Sequence, residues 1–226
     1  MTFSILTFDE ETGVFAAAAA TGSLCVGGWV LRGDIESGLV ASQGTAPSTF
    51  WRDDALRAMY QGHSSREAVE AVTTRDIGRA HRQMIALDRQ GATHGFTGNS
   101  SVAFADHITE PKLAIAGNML CGPEVLKAMK STALEDNGPV DQRMLRVLET
   151  AEQAGGDSRG LLSAALLVLA PDFPPLDLRV DFSENPISEL RALWNRSRQS
   201  PYFDWLSEVP VKKDKTRAPA KLMPTN

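Results

Sequence analysis

The sequence predicts an α+β protein whose sheets are largely antiparallel. Two observations support this class, and a third supports a single domain. Blocks of strands and blocks of helices follow one another, in the order strands, helices, strands, helices, strands, helix. Short turns join most of the predicted strands, and short turns connect antiparallel neighbours. No strong repeat and no linker interrupts the chain before about residue 200, which favours a single domain over residues 1–200 and a tail over residues 201–226.

The N-terminal half begins with a predicted hairpin. Residues 3–8 and 14–21 flank the turn 9–13, where Gly13 can adopt the positive φ that such loops require. The five alanines at 16–20 show no alternation, which indicates burial on both faces where another layer approaches closely. A second strand pair is predicted at 27–31 and 38–43, then a helix from Pro47 to about Gly62. A further helix begins at Ser64, which forms a capping-box pattern with Glu67.

The remaining elements are predicted from periodicity and turn residues. Strands are expected at residues 81–88, 93–97, 102–105, 113–116, 161–169 and 176–181. One helix is expected to begin at residues 122–124, and two more are expected over residues 140–154 and 187–198.

The composition excludes several classes of protein. The chain has 226 residues, 42% of them hydrophobic and 23% charged, as in ordinary globular proteins. Its net charge of −5 argues against a nucleic-acid or anionic-membrane partner. No apolar run reaches the ~20 residues of a membrane span, and the acids before residue 14 argue against a signal peptide. A cytoplasmic location is therefore predicted.

Familiar cofactor and metal patterns are absent from the sequence. Phosphate-loop, dinucleotide, nucleophile-elbow and zinc-protease motifs do not occur, and the four histidines lack paired spacing. His107 is interpreted as a surface residue and not as a ligand. The two cysteines, Cys25 and Cys121, fit neither a disulfide framework nor a zinc ribbon. No cofactor and no metal are predicted.

The C-terminal tail differs in charge from the body. Residues 209–226 carry four lysines and one arginine against one aspartate, so the body alone is more acidic than the whole chain. The tail is expected to lie on the body or on a neighbouring subunit. Tyr202, Phe203 and Trp205 follow the last predicted helix and need cover, so a homo-oligomer is predicted.

Thr2 is the first candidate for chemistry. Its small side chain permits removal of Met1, and the chain enters a strand directly after it. A free α-amine with a pKa of ~7.7–8.0 could then accept the proton of the Thr2 hydroxyl, so one residue would supply both nucleophile and base. The alternative is an ordinary start, since many unrelated chains begin in the same way.

Two loops carry the other candidates. Asp157 and Arg159, between glycines and just before the strand that contains Ser163, could form an ion pair at the lip of a cleft. The alternative for this loop is a helix C-cap at Gly155 followed by a solvated turn. In the turn that begins at residue 117, the Asn118 amide and neighbouring N–H groups could face an oxyanion.

Two further residues complete the candidates. Cys121 could be an activated thiolate at a helix start, although a small buried residue is the favoured interpretation. Gln43, at the end of the predicted strand 38–43, is a candidate substrate-binding residue.

Several segments together resemble a known family. They are Met1-Thr2-Phe3-Ser4-Ile5, His81-Arg82-Gln83, Phe96-Thr97-Gly98, Gly117-Asn118-Met119-Leu120, GGDSRGLLSAALLV from Gly155, Asp177-Leu178-Arg179-Val180-Asp181 and Asn185-Pro186-Ile187. In this order, over about residues 1–195, they resemble domain-of-unknown-function family 1028, which is grouped with the N-terminal-nucleophile (Ntn) hydrolases. The resemblance implies a four-layer αββα sandwich of two antiparallel sheets.

The resemblance also implies a chemistry. Thr2 would be nucleophile and base in amide hydrolysis, and Asn118 with neighbouring N–H groups would stabilise the oxyanion. Asp157, Arg159 and Ser163 would orient the amine. Thr2, Asn118, Asp157 and Ser163 should then converge in one pocket. The family often has a Lys or Arg after its second strand, where this chain reads Thr21-Gly22-Ser23.

The predicted function is hydrolysis of a small amide or ureido compound. The first alternative is a catalytically silent Ntn-fold protein that binds a small molecule or acts as a scaffold. A thiol enzyme that uses Cys121 is the third hypothesis.

Overall fold

The computed structural model describes residues 2–155 and 160–219, which form ten strands and seven α-helices. The strands are β1 (Thr2–Asp9), β2 (Val14–Thr21), β3 (Leu31–Asp34), β4 (Gly38–Gly44), β5 (Arg82–Asp88), β6 (Thr93–Thr97), β7 (Asp106–Glu110), β8 (Leu113–Asn118), β9 (Ser163–Leu169) and β10 (Leu176–Val180). The helices are α1 (Val26–Trp29), α2 (Thr49–Tyr60), α3 (Ser65–Thr73), α4 (Glu124–Glu135), α5 (Val140–Gln153), α6 (Pro186–Ser197) and α7 (Tyr202–Trp205).

Two antiparallel sheets organise these elements. A six-stranded sheet has the order β10-β9-β2-β1-β8-β7, and a four-stranded sheet has the order β3-β4-β5-β6. Every strand pair between neighbours in the two sheets is antiparallel. The predicted α+β class with two antiparallel sheets is confirmed.

Three apolar layers hold four structural layers together. The six-stranded sheet packs one face on α4, α5 and α6 and the other on the four-stranded sheet. The four-stranded sheet covers its outer face with α2 and α3. The order helices, sheet, sheet, helices is the αββα sandwich that the family resemblance implied.

Strand β2 shows why this packing is close. Ala16, Ala18 and Ala20 face the helices, whereas Ala17 and Ala19 face the other sheet, and all five alanines are fully buried. Successive side chains of a strand point to opposite faces, so a run without alternation belongs to a strand that is covered on both. The expectation from the alanine run is confirmed.

Two predicted strands are wrong in position. Residues 26–29 form helix α1, and the strand expected at 27–31 begins only at Leu31. A Cβ atom on Gly27 would lie 2.8 Å from the Cβ of Ala165, so only glycine allows this turn to press against β9. The strand expected at 102–105 is β7, which begins at Asp106. Val102 and Phe104 instead bond to Met119 and Leu120, in the loop that follows β8.

The described part of the tail contacts the body. The Lys213 N–H donates to the carbonyl of Pro171 at 2.8 Å, and its ammonium lies 3.2 Å from the carboxylate of Asp172. Lys212 forms an ion pair with Glu36. Tail lysines therefore meet acidic groups of the body, and Val211 is buried beside them. The last tail residues, 220–226, lie outside the described residues.

Helices long and apolar enough to cross a bilayer do not occur within residues 2–155 and 160–219.

Candidate active site

Thr2 lies at one end of the layer between the two sheets. It opens β1, where it pairs with Thr21 of β2 on one side and with Asn118 of β8 on the other. The hydroxyl oxygens of Thr2 and Thr21 share a hydrogen bond of 3.0 Å. Phe3 points to the helices, so alternation turns the Thr2 side chain toward the four-stranded sheet.

A pocket of about 550 Å³ opens at this end. Its polar lining is made of hydroxyl and amide side chains: Thr2, Thr21, Ser23, Gln43, Thr45 and Asn118. Its apolar lining comes from Leu24, Val26, Trp29, Val30, Pro47 and Met119. Every described lining residue is uncharged, and the volume is within the usual range for small-molecule sites.

Gln43 holds the backbone of Thr2 in place. One amide hydrogen goes to the Thr2 carbonyl at 3.3 Å and the other to Gln83 Oε1 at 2.8 Å, while Oε1 of Gln43 accepts from the Ser4 hydroxyl at 2.7 Å. Both donors of the side chain are therefore used inside the protein. The predicted substrate-binding residue lines the pocket, but its hydrogen bonds are those of a positioning residue for Thr2.

Gln83, on β5, is the hub of this polar network. Its Nε2 lies within 3.0 Å of three acceptors, the carbonyls of Asp106 and Gly117 and the hydroxyl of Thr97. Its Oε1 accepts from Gln43 and from Asn118. Because carbonyls can only accept, they fix which end of the Gln83 amide is the donor. The orientations of the Gln43 and Asn118 amides follow from that choice.

Sequence reasoning did not assign Gln83 to the site. The signal that could have found it is its position on a strand whose other inward residues are apolar. Gln83 lies two and four residues before Ile85 and Leu87, so its side chain points to the same face of the strand, toward the other sheet. All three side chains are fully buried. A buried amide among apolar neighbours needs polar partners.

Asn118 keeps one donor for the pocket. Its Nδ2 donates one hydrogen to Gln83 at 3.1 Å, and no described residue takes the second. The next two backbone N–H groups are used, since Met119 donates to Val102 and Leu120 donates to Phe104. Of the groups predicted to be oxyanion donors, the Asn118 amide therefore has a hydrogen that no described residue uses, whereas these two backbone N–H groups donate to carbonyls.

Ser163 supports the pocket wall from behind. It faces Thr21 in the pairing of β2 with β9, and it does not belong to the described pocket lining. Its hydroxyl donates to the carbonyl of Ser23 at 2.8 Å and accepts from the N–H of Val26 at 3.1 Å. The hydroxyl thus holds the loop that leads into α1, and it does not reach the hydroxyl of Thr2 by any hydrogen bond within the described chain.

Arg52 fixes the other end of the same wall. Its guanidinium donates to the carbonyls of Gly28 and Trp29 at 2.5 and 3.0 Å, at the end of α1, and pairs with Asp53. Arg52 is 3% exposed, whereas Trp29 is 52% exposed at the pocket. The Arg52 guanidinium holds the pKa of Asp53 below its usual range, so the carboxylate keeps its charge.

Left-handed backbone marks both sides of the pocket. Cys25 has φ 60 and Met119 has φ 58, in a region that non-glycine residues seldom adopt. Such conformations persist where surrounding contacts determine them, as at binding sites. Here the Cys25 N–H donates to Asp181, and the Met119 N–H to Val102.

His107 ends the hydrogen-bond network on the far side of Gln83. Its Nδ1 lies 2.8 Å from the hydroxyl of Thr97, which also accepts from Gln83. Either group can be the donor of this hydrogen bond, depending on the tautomer of the His107 ring. Burial lowers the pKa of His107, which favours the neutral imidazole.

Two predicted site residues cannot be located. Asp157 and Arg159 lie outside the described residues. The thiol candidate Cys121 is described: it is exposed, which corrects the interpretation as a small buried residue. Its Sγ donates to the carbonyl of Gly155 at 2.9 Å, and it is not part of the described pocket lining. Metal-binding clusters of three or more His, Cys, Asp or Glu residues are absent from the described ranges.

The comparisons with known proteins agree with the resemblance found in the sequence. A family model described as "Family of unknown function (DUF1028)" matches residues 2–190. The chain belongs to this family. The DUF1028 match covers every described pocket residue and ends within α6, before the tail.

A solved structure from the same family has the same fold. The crystal structure of protein SPO2555 from Silicibacter pomeroyi, described with DUF1028, is 46% identical, with a TM-score of 0.91 over 96% of this chain and 98% of that chain. Among curated proteins, no sequence matches this one.

Proposed function

We propose that this DUF1028 protein is a hydrolase of small amide or ureido compounds that uses Thr2 as an N-terminal nucleophile once Met1 is removed. The observation that carries the proposal is the position of Thr2. Thr2 lines a pocket, and its hydroxyl lies beside that of Thr21. On the neighbouring strand, the Asn118 amide has one hydrogen that no described residue accepts. The Ntn-type fold assignment is part of the same proposal.

The reaction needs two acyl transfers, first to the Thr2 oxygen and then to water. The Thr2 hydroxyl oxygen attacks the carbonyl carbon of the substrate, and its proton passes through the free α-amine to the leaving nitrogen. The C–N bond breaks and an ester to Thr2 remains. Water, deprotonated by the same amine, then attacks the ester carbonyl carbon. The bond from that carbon to the Thr2 oxygen breaks, the amine returns its proton to this oxygen, and the acid is released. The second hydrogen of Asn118 Nδ2 stabilises the negative oxygen in both steps.

Positioning residues serve this chemistry from behind. Gln43 holds the Thr2 carbonyl, and Gln83 fixes the Asn118 amide. Asp157, Arg159 and Ser163 are proposed to orient the amine, with Ser163 acting through the loop that it anchors. The proposed location is the cytoplasm, where Met1 can be removed during synthesis.

A second candidate function is small-molecule binding without turnover. Two observations favour it: the described pocket lining is uncharged, and the Met119 and Leu120 N–H groups are used by backbone carbonyls. The pocket would then hold an uncharged ligand through hydroxyl and amide groups beside Trp29.

The test begins with the mass of the intact protein from its native cytoplasm. The hydrolase proposal expects a chain that starts at Thr2; Met1 retained throughout an active preparation would rule out the Thr2 mechanism. A panel of amides and ureides is then compared for wild type, Thr2→Ser and Thr2→Ala. Loss of turnover by more than about 10³-fold in Thr2→Ala, with partial retention in Thr2→Ser, is expected.

The matched control is Thr12→Ala, in the exposed turn at the other end of the β1–β2 hairpin. It should leave turnover unchanged. Equal turnover of Thr2→Ala and wild type would end the proposal, and loss of activity in Cys121→Ala would favour the thiol hypothesis. Ligands that bind wild type and Thr2→Ala equally, with no turnover by either, would support the binding function.

A further inference from the structure

Strand β10 forms one edge of the six-stranded sheet. Leu176–Val180 pair with β9 on one side. On the other side, none of their backbone N–H or C=O groups finds a hydrogen-bond partner among residues 2–155 and 160–219. An open edge of this kind is a template for pairing with another strand.

The sequence of β10 is complementary to itself about Leu178. When two copies of the strand pair antiparallel with Leu178 opposite Leu178, Asp177 of each copy lies opposite Arg179 of the other. Both side chains are exposed on the same face of the strand. Opposite charges across antiparallel strands stabilise the pair. The register is the one that a two-fold axis through Leu178 would produce.

The charged pair is already ordered within one chain. Arg179 donates two hydrogen bonds to Asp177, at 2.8 and 2.7 Å, and its stem lies against Gly27. These two side chains therefore lose little conformational freedom when a second copy arrives.

We propose that β10 binds β10 of a second copy of this chain around a two-fold axis at Leu178. The two six-stranded sheets then form one continuous sheet. An interface of this kind is isologous, because each contact occurs twice.

The first test is the mass of the full-length protein by light scattering across a dilution series. A dimer is expected for wild type. Asp177→Lys and Arg179→Glu each place like charges opposite one another, so each should weaken the dimer by roughly tenfold or more. The double variant Asp177→Lys/Arg179→Glu reverses both charges and should restore it. Circular dichroism establishes that each single variant is folded.

The matched control is Asp54→Lys on α2, which makes the same charge change and breaks an exposed ion pair with Arg57. It should leave the dimer unchanged.

The second test reads the register directly. With Cys121 replaced by Ser, equal amounts of Asp177→Cys and Arg179→Cys proteins are mixed, left to exchange and oxidised. A disulfide-linked dimer should form faster in the mixture than in either protein alone. A monomeric wild type would overturn the proposal. So would a dimer that neither charge variant weakens and that shows no preference for cross-linking in the mixture.

Discussion

The two ends of the layer between the sheets use the same strands in different ways. At one end, Leu6, Leu39 and Leu87 pack with alanines of β2 as an apolar layer. At the other end, Gln43 and Gln83 stand at the corresponding inward positions and form hydrogen bonds. Only a few residues along β4 or β5 separate the apolar end from the polar end. The same pair of sheets therefore contains both a hydrophobic core and the candidate active site.

The difference shows what holds a pocket open in a closely packed sandwich. At the apolar end, small alanines let the sheets approach, and burial of side chains stabilises the contact. At the polar end, each amide of Gln43 and Gln83 is satisfied by fixed partners, so burial does not leave unpaired groups. Thr2 and Asn118 can then face a pocket without loosening the layer.

The largest expected effect comes from replacing the buried amide of Gln83 with an apolar side chain. Gln83→Leu keeps side-chain size but leaves the Asp106 and Gly117 carbonyls and two amide groups without their partner. We expect the free energy of unfolding to fall by about 3–4 kcal/mol, measured by urea denaturation. Ile85→Leu, two residues along the same strand and equally buried, should cost less than about 1.5 kcal/mol.

Equal losses in these two variants would contradict the comparison. They would mean that the polar end is stabilised by packing alone, as the apolar end is.

An intermediate effect is expected where the sheets are closest. Ala19 faces the other sheet beside Ser4 and Ala165, and it is fully buried. Ala19→Val should lower the free energy of unfolding by about 1–3 kcal/mol, because two added methyl groups have no space in the layer. Thermal denaturation measures this loss. Unchanged or raised stability would show that the layer has room, and that the alanine run is not required by close approach.

The smallest expected effect is a pH dependence at the far edge of the polar network. Burial lowers the pKa of His107 in the folded protein, below the ~6.5 of the unfolded chain. At a pH between the folded and the unfolded pKa of His107, the imidazole is protonated in the unfolded chain but not in the folded protein. The free energy of unfolding should therefore fall as the pH falls from about 7 through this window.

His107→Gln removes that contribution while keeping a side-chain amide that can form a hydrogen bond with Thr97. The pH slope of wild type should become shallower in this variant. Burial also lowers the pKa of His94, on β6. The pH slope of His94→Gln is therefore measured beside that of His107→Gln, on β7. Identical slopes for His107→Gln and wild type would show that burial of His107 does not oppose its protonation.

Periodicity and turn residues predicted most elements within a few residues. The capping box at Ser64 is present, with Ser64 accepting from the Glu67 N–H and Glu67 accepting from the Ser64 N–H. These features are local, because a cap or an amphipathic helix depends on residues three or four apart. The helix at residues 26–29 was not predicted, because it depends on contacts between distant residues. Gly27 packs against β9, and Arg52 donates to the carbonyls at the end of the helix.

The sequence by itself determined the class of the fold, the doubly covered β2 strand and the candidacy of Thr2 and Asn118, because each depends on neighbours along the chain. Only the tertiary structure decided which of the candidates meet. It placed Asn118 beside Thr2, assigned Ser163 to the wall, and made Gln83 the hub of the site. Hydrogen bonds between strands far apart in sequence select these partners, and no local pattern encodes which carbonyls an inward amide will meet.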